Sequence, residues 1–229
     1  MPDSLKQKIL YALELQKYLT IKQMTNLIAP EDPKAWERIR KSVQRLQKEN
    51  LLSSKSYGLG KHHLWCLADH PVIKKLGYIP PKKEIHGLFY DHEIIRGDIF
   101  VEIARSGYLL DWEWEPQFRK FFPDVLMRVS DPAIYIEVER GNQNKAKLIN
   151  KIQNYLNLFH ETKEMFYVLF VVSDDLVDLI KRIFNEMNTP QMYMFVTAES
   201  FVADVLNAQL MSQQKSHTLS QLLPTDETE

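Results

Sequence analysis

The stretch "PDVLMRVSDPAIYIEVERGNQNKAKLINKIQNY", residues 123–155, decides how this chain can fold. The runs DVLMRVS and AIYIEVE predict two short strands joined by a turn at Asp131 and Pro132. The segment that follows has apolar residues at helical spacing. Because side chains alternate along a strand, Glu137 and Glu139 share one face, and Asp124 stands opposite them. The sequence therefore predicts a strand pair and a helix around a group of carboxylates.

The chemistry of these carboxylates suits a divalent cation. Mg²⁺ and Mn²⁺ prefer hard oxygen ligands and also bind phosphate, so Asp124, Glu137 and Glu139 are candidate metal ligands. Such an ion would activate water and stabilise the charge that develops on a phosphate. Lys147 and Lys151 lie four residues apart on the following helix and share one of its faces. The candidate catalytic residues are Asp124, Glu137, Glu139, Lys147 and Lys151.

Outward from this stretch, the chain alternates between helical and strand patterns from Phe89 onward. A helix over DHEIIRGDIFVEIARSG comes first, the strand YLLDWEWEP follows, and the apolar strand FYVLFVVS lies beyond the central helix. This order resembles the α-β-β-β-α-β core of the PD-(D/E)XK restriction-endonuclease-like fold. The resemblance implies nuclease chemistry at Asp124 and Glu137, but that motif has a lysine where this chain has Glu139. Either a lysine of the following helix takes that role, or cleavage has been lost.

The first third of the chain differs in charge from the rest. Through His70 there are 12 Lys and Arg against 7 Asp and Glu, a balance of +5, while the remainder has 17 against 23, a balance of −6. A basic segment is a candidate for binding nucleic acid, and an acidic one for holding cations. Two helical patterns precede a third, AWERIRKSVQRLQKENLL, whose apolar face is predicted to hold Trp36, Ile39, Val43 and Leu46. Two strand-like runs around Gly58 and Gly60 then predict a hairpin.

Three helices closed by a hairpin resemble the winged helix-turn-helix superfamily. The resemblance implies that the third helix enters the major groove of duplex DNA and that the hairpin contacts phosphate or the minor groove. A solvated charged helix, or a protein-docking module, is the alternative. The candidate DNA-binding residues are Arg38, Arg40, Lys41, Gln44, Arg45 and Lys48 on the helix, and Lys55, Lys61, His62 and His63 on the hairpin.

A narrower resemblance covers the chain up to about residue 207. "PDVLM", "YIEVERGNQ" and "KLINKIQNY", after an N-terminal winged helix and "YDHEII", are similar to motifs of the replication-relaxation family of plasmids and mobile elements. The resemblance implies a DNA-binding protein that acts in replication or transfer of such an element, or in its regulation. Its partners would be double-stranded DNA, a replication or relaxase protein, and a second copy in a homodimer. An active Mg²⁺- or Mn²⁺-dependent DNA endonuclease guided by the winged helix remains the alternative.

These patterns predict a mixed α+β or α/β protein with a winged helix-turn-helix at 1–72, a linker at 73–88, a nuclease-like domain at 89–207 and a partly disordered polar tail at 208–229. No apolar run has the length of a membrane span, and the start of the chain lacks a signal-peptide pattern. The single cysteine cannot form an internal disulfide. We therefore expect a cytoplasmic protein that does not enter a membrane.

Overall fold

The structure is a computed structural model that describes residues 4–56, 63–82, 85, 87, 89–107, 112–117, 121–128, 132–141, 144–190 and 192–223. The chain divides into two compact units, Met1–Arg105 and Ser106–Glu229. Helices and strands occur in both units, and the larger sheet contains parallel and antiparallel strand pairs. The predicted mixed α/β class is confirmed at this level.

The first unit begins with helices and a short strand pair. Its elements are α1 (Leu5–Gln16), α2 (Ile21–Ile28), α3 (Ala35–Lys48), β1 (Leu52–Lys55), β2 (Leu64–Leu67), α4 (Pro71–Lys75) and α5 (Phe89–Arg105). Ser4 and Thr20 cap α1 and α2 with hydroxyl groups that accept hydrogen bonds from backbone N–H groups of the first turn. β1 and β2 pair in antiparallel fashion. Part of the predicted linker is helical, since α4 begins at Pro71 and ends at Lys75.

The buried face of α3 differs from the predicted one at its first residue. Ala35, Ile39, Val43 and Leu46 are buried, whereas Trp36 is 48% exposed. Ala35 lies four residues before Ile39 and therefore on the same buried face of the helix. Trp36, the next residue, lies on the exposed side.

The helix α5, which the sequence assigns to the nuclease-like domain, lies in the first unit. It packs against α1 and α2. The close approach depends on Gly97, because a Cβ atom there would lie 2.7 Å from Nε2 of Gln23 on α2. That amide nitrogen donates hydrogen bonds to the carbonyl oxygen of Ile94 (2.7 Å) and to Oδ1 of Asp98 (2.9 Å). The helix therefore completes the first unit rather than opening the second.

A seven-stranded sheet organises the second unit, with its strands in chain order from β3 to β9. The strands are β3 (Trp112–Trp114), β4 (Val125–Met127), β5 (Ala133–Glu139), β6 (Phe166–Val172), β7 (Tyr193–Thr197), β8 (Leu210–Met211) and β9 (Ser216–His217). β3, β4 and β5 are antiparallel neighbours, β5, β6 and β7 run parallel, and β8 and β9 return antiparallel. The helices are α6 (Lys145–Thr162), α7 (Val177–Met187), α8 (Ala198–Ala203) and α9 (Leu219–Leu222).

One face of this sheet carries an aromatic core. Residues of β5, β6 and β7 pack there against α6 and α7. The rings of Tyr135 and Tyr155 lie 5.3 Å apart, and those of Phe170 and Phe184 lie 5.9 Å apart. Such contacts fix the side of β5 that faces α6, because a shift of one residue would turn every side chain of the strand to the other face.

Part of the predicted polar tail forms regular structure. Residues 208–223 contain β8, β9 and α9, and Met211 pairs with Phe195 of β7. Leu210 and Leu219 are fully buried. Apolar residues spaced through this polar segment anchor it to the sheet edge, and the short helix α9 lies near its end. Residues 224–229 lie outside the described residues.

Candidate functional site

The end of β5 buries two carboxylates side by side. Glu137 is 0% exposed and Glu139 is 2% exposed, and Val138 between them is buried on the opposite face of the strand. This is the alternation that the sequence predicts. Burying charge without compensation is costly, so the neighbours of both glutamates decide what this site can do.

Asp124 joins this group from the neighbouring strand. It directly precedes β4, whose Val125 pairs with Ile136, and it therefore lies beside Glu137 on β5. Its Oδ2 accepts a hydrogen bond of 2.8 Å from the backbone N–H of Val138. The structure thus brings Asp124 to the segment of β5 that carries both glutamates, and it holds one of the aspartate oxygens there.

A lysine from α6 provides the positive charge. Nζ of Lys151 donates a hydrogen bond of 2.8 Å to Oε2 of Glu137 and another to Oε1 of Glu139. The side chain of Lys151 is 30% exposed, whereas both glutamates that it contacts are almost fully buried. Lys147 does not join the group. It is exposed one turn earlier on the helix, and no hydrogen bond or ion pair connects its ammonium to a carboxylate within the described ranges.

Tyr155 closes the site on the side of the core. Its hydroxyl donates a hydrogen bond of 2.5 Å to Oε1 of Glu137. Its ring packs edge-on against Phe121 at 5.0 Å. Since Lys151 holds the other oxygen, both oxygens of Glu137 have a donor.

The burial of these groups shifts their proton affinities. Burial raises the pKa of the Glu137 carboxyl to about 8, against the opposing effect of the Lys151 charge. Burial acts to lower the pKa of Lys151, but the charges of Glu137, Asp124 and Glu139 outweigh it and the pKa rises. The pKa of Tyr155 is well above its ordinary value because of burial and the neighbouring Glu137. Lys151 therefore stays charged and acts as the counter-ion of this cluster.

The donor chemistry of the cluster suits Mg²⁺ or Mn²⁺, but the arrangement does not form a ligand set. Among the described residues, no group of three or more His, Cys, Asp or Glu side chains is placed to hold a metal ion. Glu137 has a donor on each oxygen, and the Lys151 ammonium lies between the two glutamates. A divalent ion would have to take the place of that ammonium.

The second candidate surface is the exposed side of α3. The side chains of Arg38, Lys41 and Arg45 are 57%, 69% and 65% exposed. Arg38 pairs with Asp32 at 2.9 Å, and Arg45 pairs with Glu49 at 3.8 Å. Exposed ion pairs of this kind are worth about 0–1 kcal/mol, so these cations can exchange their partners for phosphate at little cost. Gln44 and Lys48 are also exposed on this helix.

Arg40 has a different environment from the other candidates on α3. Its guanidinium group donates to both oxygens of Glu37, at 2.9 and 2.7 Å, and lies 5.6 Å from the ring centre of Trp36. Lys55 is partly buried on β1. Lys61 and His62 lie outside the described residues.

A groove of about 770 Å³ lies within the first unit. It is bounded by the start of α2, by α3 and by the β1–β2 pair. Its lining residues include Trp36, Arg40, Gln44, His63 and Trp65. The two tryptophans are the residues that sequence reasoning did not connect with function. The available signal is the spacing of Trp36, Arg40 and Gln44, which recurs every four residues and so marks one helical face.

Comparison of the chain with protein-family models, with curated proteins and with solved structures gives no match. Within the part of the chain that the structure describes, no helix combines the length and the apolar character needed to cross a membrane.

Proposed function

We propose that this chain is a DNA-binding protein whose first unit acts as a winged helix-turn-helix, with α3 as the recognition helix and the β1–β2 pair as the wing. The observation that carries the proposal is the row of exposed cations Arg38, Lys41 and Arg45 on a helix that is followed directly by an antiparallel strand pair. The excess of basic residues through His70 supports it.

The recognition helix has the dimensions and chemistry that this role needs. α3 has 14 residues, and the major groove of B-DNA, about 12 Å wide, admits one α-helix. Cations on the helix contact phosphates and set the register, while the amide of Gln44 reads the donors and acceptors of a base edge. The order of the PD, E-V-E-R-G and lysine-to-tyrosine motifs supports a role of this binding in replication or transfer of a plasmid or mobile element.

The second unit, in this proposal, is a nuclease-like domain in which Lys151 keeps the carboxylates neutralised. The ammonium group occupies the space between Glu137 and Glu139, and both side chains are almost fully buried. The domain then contributes protein contacts or stability to the DNA-bound form without cleaving the strand.

The second candidate function is that of a Mg²⁺- or Mn²⁺-dependent DNA endonuclease. One observation favours it: Lys151 brings a positive charge to the oxygens of Glu137, which is the chemistry that the lysine of the PD-(D/E)XK motif would supply. Asp124, Glu137 and Glu139 would hold the ion, which when bound would activate water for attack on phosphate.

DNA binding is tested with the full-length protein and a fluorescent duplex at several salt concentrations. Each phosphate contact contributes about one unit to the slope of log K against log salt, so Lys41→Ala with Arg45→Ala should lower the slope by roughly two units. Lys181→Ala with Arg182→Ala on α7 removes the same charge from another surface and serves as the control. Equal binding by both double variants would refute the assignment of α3.

Cleavage is tested by incubating the protein with supercoiled, linear and single-stranded DNA, with and without Mn²⁺. The main proposal expects intact DNA in every tube. Nicking that requires Mn²⁺, and that disappears in both Asp124→Ala and Lys151→Met, would refute the main proposal and support the Mn²⁺-dependent endonuclease.

A further inference from the structure

The groove of the first unit is lined by chemistry that the recognition of a paired base does not use. In duplex DNA the faces of each base are stacked on its neighbours, and a protein in the major groove reads only the edges. Flat aromatic side chains, by contrast, recognise the faces of bases that have left the stack. Two indole rings, Trp36 and Trp65, line this one groove.

Trp36 is the residue in the groove that is best placed for stacking. It is 48% exposed, which leaves part of its ring open to the solvent. The guanidinium of Arg40 lies 5.6 Å from the ring centre, and the bidentate contact with Glu37 fixes its orientation. A guanidinium beside an indole offers π-stacking and a cation–π contact to a planar heteroaromatic ring.

The remaining lining residues offer hydrogen-bonding groups for the edge of a base and a positive charge for its phosphate. The amide of Gln47 contains both donors and an acceptor, which match the polar edge of a nucleobase. Lys22 lines the groove from the start of α2 and provides a cation for phosphate. Within the described ranges, no aspartate or glutamate lines the groove, so its charge complements a polyanion.

We propose that this groove binds one unpaired nucleobase of a DNA strand, stacked on Trp36, next to the duplex that α3 contacts. The inference rests on the proposed DNA binding and specifies the kind of DNA that the protein prefers. The preferred DNA is a duplex that carries a bulged, flipped or end-frayed nucleotide beside the α3 site, rather than a continuous duplex.

The test compares two duplexes of the same sequence, one continuous and one with a single bulged 2-aminopurine, in binding to the full-length protein. Alanine substitution of a stacking aromatic side chain commonly costs about 1–3 kcal/mol per base, which corresponds to a preference of roughly 5- to 150-fold for the bulged duplex. Stacking should also quench the 2-aminopurine fluorescence. Trp36→Ala should remove both effects, and Trp36→Phe should retain most of each.

Tyr11→Ala is the matched control, because Tyr11 is 38% exposed on α1 of the same unit and does not line the groove. This variant should keep the preference. Binding of both duplexes with equal affinity and no quenching would overturn the unpaired-base site and leave the proposed DNA binding intact. Failure to bind either duplex would overturn both.

Free deoxyadenosine monophosphate, added as a competitor at the concentration of the bulged duplex, should not displace it. Displacement would assign the groove to free nucleotides and would overturn the proposal in this form.

Discussion

Lys151 and Tyr155 lie one turn apart on α6 and engage the two different oxygens of the buried Glu137. The same helix therefore supplies both the charge and the neutral hydrogen-bond donor that allow this carboxylate to be buried. The lysine also reaches Glu139, so one ammonium group serves two carboxylates. The stability of the second unit therefore depends on a few polar groups, and single substitutions can measure the contribution of each.

At a pH above about 8, where Glu137 is ionised in the folded state, Lys151→Met should lower the free energy of unfolding by about 3 kcal/mol, because it leaves the charges of Glu137 and Glu139 buried without their counter-ion. Urea denaturation of the full-length protein measures the effect. Lys147→Met is the matched control on the exposed side of the same helix, and its effect should stay within about 0.5 kcal/mol. Equal losses in the two variants would mean that Lys151 is not the counter-ion.

Tyr155→Phe should lower the free energy of unfolding by about 1–3 kcal/mol, since Glu137 loses a donor while the aromatic packing is kept. Tyr193→Phe provides the contrast. The Tyr193 hydroxyl is buried, and it has no hydrogen-bond partner among the described residues, so its removal should be neutral or stabilising. Denaturation midpoints that shift in the same direction for both variants would contradict this distinction.

Glu137 should make the protein less stable as the pH rises from about 4.5 to about 8. Burial raises the pKa of this carboxyl from its ordinary value of 4.5 to about 8, so in this interval the folded state holds a proton that the unfolded state releases. The stabilisation is complete below the lower value and is lost as the pH rises through the upper one. Glu137→Gln should remove this part of the pH dependence. Parallel stability curves for the wild type and the variant would rule out Glu137 as its source.

Mn²⁺ should raise the Tm of Lys151→Met more than that of the wild type, because in the wild type the ammonium group occupies the space that the ion needs. A ligand that binds the folded state alone stabilises it by mass action. Thermal denaturation with and without Mn²⁺ measures the difference, with Mg²⁺ as a second ion. Adding Asp124→Ala to Lys151→Met should abolish the gain. A larger shift in the wild type would show that Lys151 does not compete with metal.

Gly97→Ala should destabilise the first unit by about 1–3 kcal/mol. The added Cβ would lie 2.7 Å from Nε2 of Gln23, whose hydrogen bonds to Ile94 and Asp98 leave it little freedom to move. In a Gln23→Ala background the same substitution should cost less, because the obstructing side chain is gone. A double-mutant cycle on unfolding free energies gives the coupling. Additive effects would mean that the two positions do not interact.

The sequence was most informative where contacts are close along the chain. Alternation in β5 places Glu137 and Glu139 together, and helical spacing places Lys151 and Tyr155 on one face of α6. The face of β5 that packs on α6 is set by buried aromatic residues, with Tyr135 on the strand in contact with Tyr155 on the helix. Local periodicity also predicted most of the helices and strands.

Contacts between residues far apart in the sequence could not be predicted from local patterns. The hydrogen bond from Gln23 to Asp98 joins residues 75 apart, and nothing in the amphipathic pattern of α5 reveals which surface it covers. The helical pattern predicts Trp36 on the buried face of α3, but the neighbouring Ala35 lies there instead. The pairing of Arg38 with Asp32 depends on side-chain geometry that composition does not encode.

The packing of α5 on α2 has a consequence for how such a protein can exchange parts during evolution. Recombination that joins the basic N-terminal segment to another protein preserves its fold when the breakpoint falls after Arg105, and not when it falls in the proline-rich stretch after α4. A crossover in that stretch would separate Gln23 from Gly97 and leave α2 without the helix it packs against. The segment that keeps its fold is therefore longer than the proposed DNA-binding elements and includes α5.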